Sequence, residues 1–156
     1  MAPPTHPPTR TYRALLRQGK GADPNRTVYS RPLLHHAVRR PDNHAMLDAF
    51  LQDPRLDPDA PCHVGSYTAL HYALQFLTWA GNPPAPAPTD VPAILGRLLA
   101  AGADPRVEDG HGRTPMAWAG SVWDEAMARG DMVVVDAAMA SMELLQVRRC
   151  RGMDGG

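Results

Sequence analysis

The sequence predicts an all-α fold in which pairs of antiparallel helices stack into a solenoid with β-turn fingers along one edge. Two recurring patterns indicate it. A turn of the Gly-Ala-Asp-Pro type occurs at 21–25, 56–59 and 102–106. About ten residues after each turn comes a short helix-start pattern that ends in alanine, at 32–37, 68–73 and 114–119. A recurring unit of this size determines the architecture, because one unit cannot bury its own apolar face and needs a neighbour.

The residues of these two patterns have separate physical roles. Thr114 can cap a helix N-terminus through its hydroxyl, and Pro115 then takes the first helical position, where a missing N–H costs little. In the turn, Gly102 accepts the left-handed conformation that ends a helix, and Asp104 and Pro105 lead the chain away in an extended form. The remaining pattern positions are apolar residues that face a shared core and alanines that permit close helix approach: Leu34, Leu70, Met116, Ala37, Ala73 and Ala119.

The elements follow in order along the chain. A Pro-rich disordered tail is predicted at 1–11, a repeat domain at 12–148 and a C-terminal tail at 149–156. The domain opens with a partial repeat whose helix covers 12–18, and three repeats follow at 27–59, 63–106 and 109 to about 140, the last of them degenerate. The paired helices are predicted near 32–40, 43–52, 68–79, 91–101, 115–129 and 131–148, and the fingers near 24–31, 59–67 and 105–113. Residues 81–90 contain four prolines and no bulky apolar side chain, so they are predicted to be an exposed insertion within the second repeat.

These patterns resemble the ankyrin repeat, whose first helix opens with Thr-Pro-Leu-His-x-Ala and whose second helix ends in Leu-Leu-x-x-Gly-Ala-Asp-Pro-Asn. The resemblance covers about residues 12 to 120. His35 and His71 are 36 residues apart, close to the roughly 33 residues of this family. Ala117 follows 46 residues after His71, an excess that the insertion explains. The resemblance implies that the rings of His35 and His71 bond to neighbouring backbone and tie the repeats together.

Composition narrows the class of protein. Apolar residues make up 44% and charged residues 21% of the 156 residues, which is ordinary globular usage. Sixteen basic residues balance sixteen acidic ones, so we expect no nucleic-acid partner. No run of eighteen apolar residues occurs, so no membrane association is expected, and the distant Cys62 and Cys150 favour a reducing, cytoplasmic location.

The sequence contains no pattern that predicts catalysis, a metal site or a cofactor. Cys62, His63 and His111 fall on predicted fingers, but a zinc site needs a fourth ligand that the chain does not offer nearby. No Gly-x-Ser-x-Gly elbow occurs, and Ser66 and Ser121 are isolated. We therefore expect a non-enzymatic protein. The alternative is a small enzyme that uses the groove and the 81–90 insertion as an active site.

The resemblance implies a function in which the concave groove of the solenoid binds another protein, as an adaptor or an inhibitor. Aligned on the motif, the partner-binding positions are Tyr29, Arg31, Arg39, Arg40, Tyr67, Gln75, Phe76, His111 and Arg113. Four are arginines and none is acidic, which favours a partner with an acidic segment held by Arg forks, with Tyr29, Tyr67 and Phe76 as apolar anchors. Simple solvation of these arginines is the alternative interpretation. The sequence also leaves open a fragment of a longer array, or a subunit that docks on its own copy.

Overall fold

The structure is a computed structural model that describes residues 23–39, 44–78 and 87–153. Side chains are described for residues 23–39, 47–78 and 87–147. The predicted N-terminal tail, the helix at 12–18, most of the insertion and the last three residues lie outside the described residues, as does Arg40.

The described chain is mostly helical, with one small antiparallel hairpin. Its strands are β1 (Thr27–Val28) and β2 (Arg31–Pro32), paired in the register Thr27 to Pro32 and Val28 to Arg31. The helices are α1 (Leu33–Val38), α2 (His44–Leu51), α3 (Ala69–Gln75), α4 (Val91–Ala100), α5 (Pro115–Arg129) and α6 (Met132–Met153). A short 3₁₀ helix at Pro88–Asp90 precedes α4. An all-α class is thus confirmed, and no helix among the described residues is long and apolar enough to cross a membrane.

The helix starts show why these residues form helices. At the start of α5 the Thr114 hydroxyl accepts a hydrogen bond from the Ala117 N–H at 3.3 Å, and Pro115 follows in the first turn. The same helix ends at Gly130, whose φ of 72° is the left-handed conformation that glycine adopts without steric cost. At the start of α3, the Thr68 N–H donates to Nδ1 of His71 at 3.3 Å. The capping predicted for Thr114 is therefore confirmed.

The helices pack in two rows. Contacts join α1 to α3 and α3 to α5 in one row, and α2 to α4 and α4 to α6 in the other, while α1 and α2, α3 and α4, and α5 and α6 pack as pairs. The core lies between the rows, and its largest fully buried side chains include Phe50, Leu70, Ile94, Leu98 and Leu145. The apolar motif positions Leu34 and Leu70 and all three motif alanines are buried, as predicted, and Met116 packs on the core while remaining partly exposed.

Several predicted boundaries are wrong. Helix α1 ends at Val38 and α3 at Gln75, and the chain then leaves α3 through turns at 76–78. Helix α6 continues to Met153, beyond the predicted helix end at residue 148. The fingers at 59–67 and 105–113 form turns without strands, and only the first finger pairs as a hairpin. The end of the insertion contacts α6 through its 3₁₀ helix, which is more packing than an exposed loop implies.

Candidate partner-binding surface

The two histidines of the motif join one helix pair to the next through equivalent hydrogen bonds. Nε2 of His35 lies 2.8 Å from the carbonyl oxygen of Tyr67, and Nε2 of His71 lies 2.8 Å from the carbonyl oxygen of Arg113. Because a carbonyl can only accept, both rings carry their proton on Nε2 and donate it. Each histidine therefore fixes the backbone of the following finger, which confirms the backbone hydrogen bonds implied for the two rings.

The finger tips repeat the connection through their backbones. The His63 N–H donates to the Ser30 carbonyl at 3.1 Å, and the Gly110 N–H donates to the Gly65 carbonyl at 2.8 Å. A Cβ on Gly110 would lie 3.1 Å from that same Gly65 oxygen, so this close approach explains the glycine. Three successive fingers are thereby linked edge to edge.

The turns that precede the fingers add a third connection. The side-chain carbonyl of Asn25 accepts from the Asp57 N–H at 2.7 Å, and the carboxylate of Asp59 accepts from the Asp104 N–H at 2.9 Å. Each junction between helix pairs thus contains a histidine bond, a finger-to-finger bond and a turn-to-turn bond. These bonds hold the fingers at fixed positions relative to one another, as an extended binding surface requires.

Burial keeps both junction histidines neutral. Burial lowers the pKa of His35 to about 4, against the opposing effect of its bond to the Tyr67 backbone. Burial also lowers the pKa of His71, partly offset by its bond to the Arg113 backbone. Both rings are 1% exposed. At neutral pH they act as structural hydrogen-bond donors rather than as proton-transfer groups.

The tip of the first finger displays an aromatic side chain from a strained backbone. Tyr29 and Ser30 lie between the paired residues Val28 and Arg31, with φ angles of 51° and 64°. Left-handed φ values at both central positions of a hairpin turn favour Asn-Gly or Gly-Gly, and a bulky residue there is strained. The second finger uses Gly65 at the matching position, with φ of 74°. The Tyr29 side chain is 79% exposed.

Arg31 lies beside the first finger and over an aromatic ring. Its guanidinium carbon is 5.4 Å from the centroid of the Tyr72 ring, and one of its N–H groups donates to the Tyr72 hydroxyl at 3.2 Å. Tyr72 is buried against His35 and packs edge-on to Phe76 at 5.1 Å. The arginine side chain is therefore oriented by a rigid aromatic cluster while it remains exposed at the surface.

The third finger is organised around one buried carboxylate. Asp109 accepts hydrogen bonds from the backbone N–H groups of His111 at 2.8 Å and Arg113 at 3.0 Å, from Nε of Arg113 at 3.2 Å and from the Trp118 indole at 2.8 Å. Its side chain is fully buried. Burial alone would raise the pKa of Asp109, but these donors and the Arg113 charge outweigh it and hold the pKa well below its usual range. The guanidinium carbon of Arg113 also lies 4.4 Å from the centroid of the Trp118 ring.

The predicted partner-binding residues fall into distinct environments. Tyr29, Arg31 and His111 are exposed on finger tips, Tyr67 is half-buried with its ring edge-on to Trp118 at 5.7 Å, and Arg113 retains 43% of its side-chain exposure. Arg39 and Gln75 are half-buried on the first row of helices.

The prediction that Phe76 binds a partner is wrong. Phe76 is 1% exposed and packs in the core, so it cannot anchor a partner in a groove. The chain turns after Gln75 and directs this ring inward against Tyr72, whereas a helix continuing to residue 79 was expected to leave it at the surface.

Sequence reasoning missed three residues of this surface. Asp109, Tyr72 and Trp118 position Arg31 and Arg113, and the motif alignment gives none of the three a role. The four-residue spacing of Asp109 and Arg113 is a sequence signal for their ion pair, because a turn between two residues so close in sequence can bring their side chains into contact. The contacts of Tyr72 with His35 and of Trp118 with Tyr67 have no local signal, since each joins residues that are far apart in sequence.

The surface offers hydrogen bonds, arginines and aromatic rings rather than a metal centre. Within the described ranges, no three His, Cys, Asp or Glu side chains are grouped so that they could hold a metal ion. Comparisons with protein-family models, with curated proteins and with solved structures gave no match. The function must therefore be argued from the residues of this chain.

Proposed function

We propose that this chain is an ankyrin-repeat protein whose finger surface binds another protein. Three helix-start patterns, two rows of helices and two junctions built from the same three kinds of hydrogen bond support the repeat. A repeat array of this kind provides a rigid, extended surface and leaves the specificity to side chains at the finger tips.

The strained display of Tyr29 is the observation that carries the proposal. A tyrosine with left-handed φ costs on the order of 1 kcal/mol or more, and such strain persists where the surroundings fix it. Packing within the fold does not offset this cost, because Tyr29 is 79% exposed. Tyrosine and arginine are among the residue types most enriched in the hot spots of protein interfaces.

The partner's chemistry follows from the charges around Tyr29. Arg31 is exposed two residues away, and its guanidinium stacks on Tyr72 without a carboxylate partner among the described residues. Arg113 is different, because Asp109 beneath it compensates its charge. An acidic segment of the partner would therefore bind the first finger more strongly than the third. Of the predicted arginines that the structure describes, we propose Arg31 as the main contact for that segment.

Site-specific photo-crosslinking in the native cell tests this function. Replacement of Tyr29 by a photo-reactive phenylalanine analogue should give one discrete crosslinked protein. The matched control places the same analogue at Gln52, an exposed position at the end of α2 in the other row. Equal capture from both positions, or capture from Gln52 alone, would contradict binding at the fingers.

The captured partner then allows a quantitative test. Reversal of Arg31 to Glu should weaken binding at low salt by about tenfold or more and flatten its salt dependence, since exposed charges are screened over roughly 8 Å at physiological ionic strength. Reversal of Arg106, which is exposed but paired with Asp104 on a turn, is the control. A partner whose affinity is unaffected by Arg31→Glu does not carry the proposed acidic segment. The alternative of an enzyme stays a prediction, and nothing in the described residues favours it.

A further inference from the structure

Helix α6 exposes apolar side chains on a side that the described fold does not bury. Its inner side packs through Val134, Val135, Ala138 and Leu145. Yet four of the seven exposed large hydrophobic residues among the described side chains also lie on this helix: Met132, Val133, Met139 and Val147. Exposed apolar side chains that lie together on a protein surface often mark a site of contact with another protein.

The exposed residues form an ordered stripe. Met132, Asp136, Met139, Glu143 and Val147 follow one another at intervals of three or four residues and are all exposed, so they lie on one side of the helix. We call these five residues the α6 stripe. It alternates apolar and acidic side chains over about 22 Å, or roughly four helical turns.

The stripe borders a cleft between α4 and α6. The cleft has a volume of about 460 Å³ and is lined by Gly96 and Leu99 from α4 and by Ala140, Glu143, Leu144 and Val147 from α6. A Cβ on Gly96 would meet nothing within 4 Å, so the packing of this chain does not explain a glycine within α4. Glycine there costs up to about 1 kcal/mol of helix stability relative to alanine, and it lets another backbone approach closely.

The charge of the stripe indicates the occupant. Neither Asp136 nor Glu143 forms an ion pair with a described residue, and Arg97, the one Lys or Arg of α4, is paired with Asp48 at 2.8 Å. A second copy of the chain fits poorly: full antiparallel overlap of two stripes pairs Met132 with Val147 and places Asp136 opposite Glu143 of the other copy. Like charges in direct opposition are unfavourable.

We infer that the α6 stripe and its cleft form a second docking surface, which takes a basic amphipathic helix of a partner protein. Apolar residues of that helix would enter the cleft beside Val147 and Leu99, and its Arg or Lys residues would pair with Asp136 and Glu143. A groove between two helices receives a helix through contacts spaced three, four and seven residues apart. This surface is on the second row of helices and does not depend on the finger surface.

A designed peptide provides the probe. It is a capped, fluorescently labelled helix of about 16 residues with leucines and arginines placed to complement the stripe, and a sister peptide carries Glu in place of each Arg. We expect the full-length protein to bind the basic peptide at least tenfold more tightly than the acidic one, as measured by fluorescence anisotropy at low salt.

A charge swap makes the test specific. The double variant Asp136→Arg, Glu143→Arg should lose affinity for the basic peptide by at least tenfold and gain affinity for the acidic one. The matched control, Glu108→Arg with Asp124→Arg, changes the net charge equally at exposed positions away from the stripe and should behave like the parent protein. Circular dichroism of each variant confirms folding.

Three outcomes would overturn the inference. One is equal binding of both peptides to the parent protein. Another is an unchanged preference in the Asp136→Arg, Glu143→Arg variant. The third is a concentration-dependent dimer, seen by sedimentation, that Met139→Glu abolishes, since that would assign the stripe to a second copy.

Discussion

Two junctions use the same kind of histidine hydrogen bond: one joins the first helix pair to the second, and the other joins the second to the third. They differ in the hydrogen bonding of Nδ1, the other nitrogen of the histidine ring. Nδ1 of His71 receives the Thr68 N–H and lies 2.9 Å from the Thr68 hydroxyl. Nδ1 of His35 is buried and has no hydrogen-bond partner among the described residues. The residue that corresponds to Thr68 is Pro32, which has neither an N–H nor a hydroxyl.

This difference shows what the motif threonine contributes. It caps the helix and also completes the hydrogen bonding of the histidine that links two units. In the third helix pair the threonine is retained as Thr114, while Ala117 stands at the position of the histidine. The first junction is thus incomplete, the second is complete, and the third helix pair keeps only the cap.

The largest expected effect concerns the finger that closes the second junction. Replacing Asp109 by Ala removes the acceptor of two backbone N–H groups, the Trp118 indole and the Arg113 guanidinium, and leaves buried donors unpaired. We expect a loss of about 3–5 kcal/mol in the free energy of unfolding, measured by urea denaturation. Asp104→Ala is the control, because it also accepts from a nearby arginine but in an exposed turn. Equal losses would show that Asp109 does not organise the junction.

The next effect is on acid stability. The folded-state pKa of His35, about 4, lies below its unfolded value of 6.5, so the unfolded chain binds more protons between these values. The contribution of neutral His35 to the free energy of unfolding is therefore fully present above about pH 6.5 and decreases as the pH falls toward 4. Linkage gives a loss of about 2 kcal/mol between pH 7 and pH 5 from His35 alone, and His71 acts in the same direction.

The matching variant is His35→Gln, whose side-chain amide can still donate to the Tyr67 carbonyl but does not titrate. Urea unfolding at pH 7 and pH 5 should show a smaller difference for this variant than for the parent protein. An identical difference would mean that His35 is not the buried neutral group described above.

A smaller effect should come from completing the first junction. Pro32→Thr offers the missing N–H and hydroxyl to Nδ1 of His35, and the backbone at Pro32, with φ of −56° and ψ of 148°, is compatible with a threonine. A satisfied buried acceptor gains about 1–3 kcal/mol, while loss of the proline rigidity costs about 0.4–1 kcal/mol. We expect a net gain of about 1 kcal/mol. Pro32→Val, which restores the N–H without the hydroxyl, should gain less, and an equal gain would exclude a contribution from the hydroxyl.

Much of this fold could be predicted because the information is local. The helix starts at Thr68 and Thr114, the left-handed turn at Gly102 and the buried motif positions follow from the preferences of single residues. The end of α3 could not be predicted, because Gln75 and Phe76 have ordinary helical propensity. Tertiary packing, which includes the edge-on contact with Tyr72, places Phe76 in the core.

The candidate site was less predictable, since it depends on contacts between units. The motif alignment placed Tyr29 and Arg31 on an exposed finger, as the structure has them. It could not show that a buried Asp109 compensates Arg113, nor that Tyr72 supports Arg31 from a different unit. Alignment on the motif gives the position of a residue within its own finger and helix pair, whereas charge compensation depends on its neighbours in space.

The smallest expected change in the free energy of unfolding concerns Tyr29, the residue proposed to bind the partner. The first finger has Tyr29 where the second has Gly65, and both occupy left-handed φ. Tyr29→Gly should therefore relieve backbone strain and raise the free energy of unfolding, by less than about 1 kcal/mol because glycine also gains entropy in the unfolded chain. The same variant should weaken binding of the crosslinked partner by about 2 kcal/mol, since an aromatic anchor is removed.

The reverse change, Gly65→Tyr, would place a Cβ 2.5 Å from the Tyr67 ring and should be destabilising, so the two fingers are not interchangeable. Urea unfolding and titration of the partner measure the two effects on one preparation. A Tyr29→Gly variant that is more stable and still binds at full affinity would mean that the strain at the first finger is not maintained for recognition.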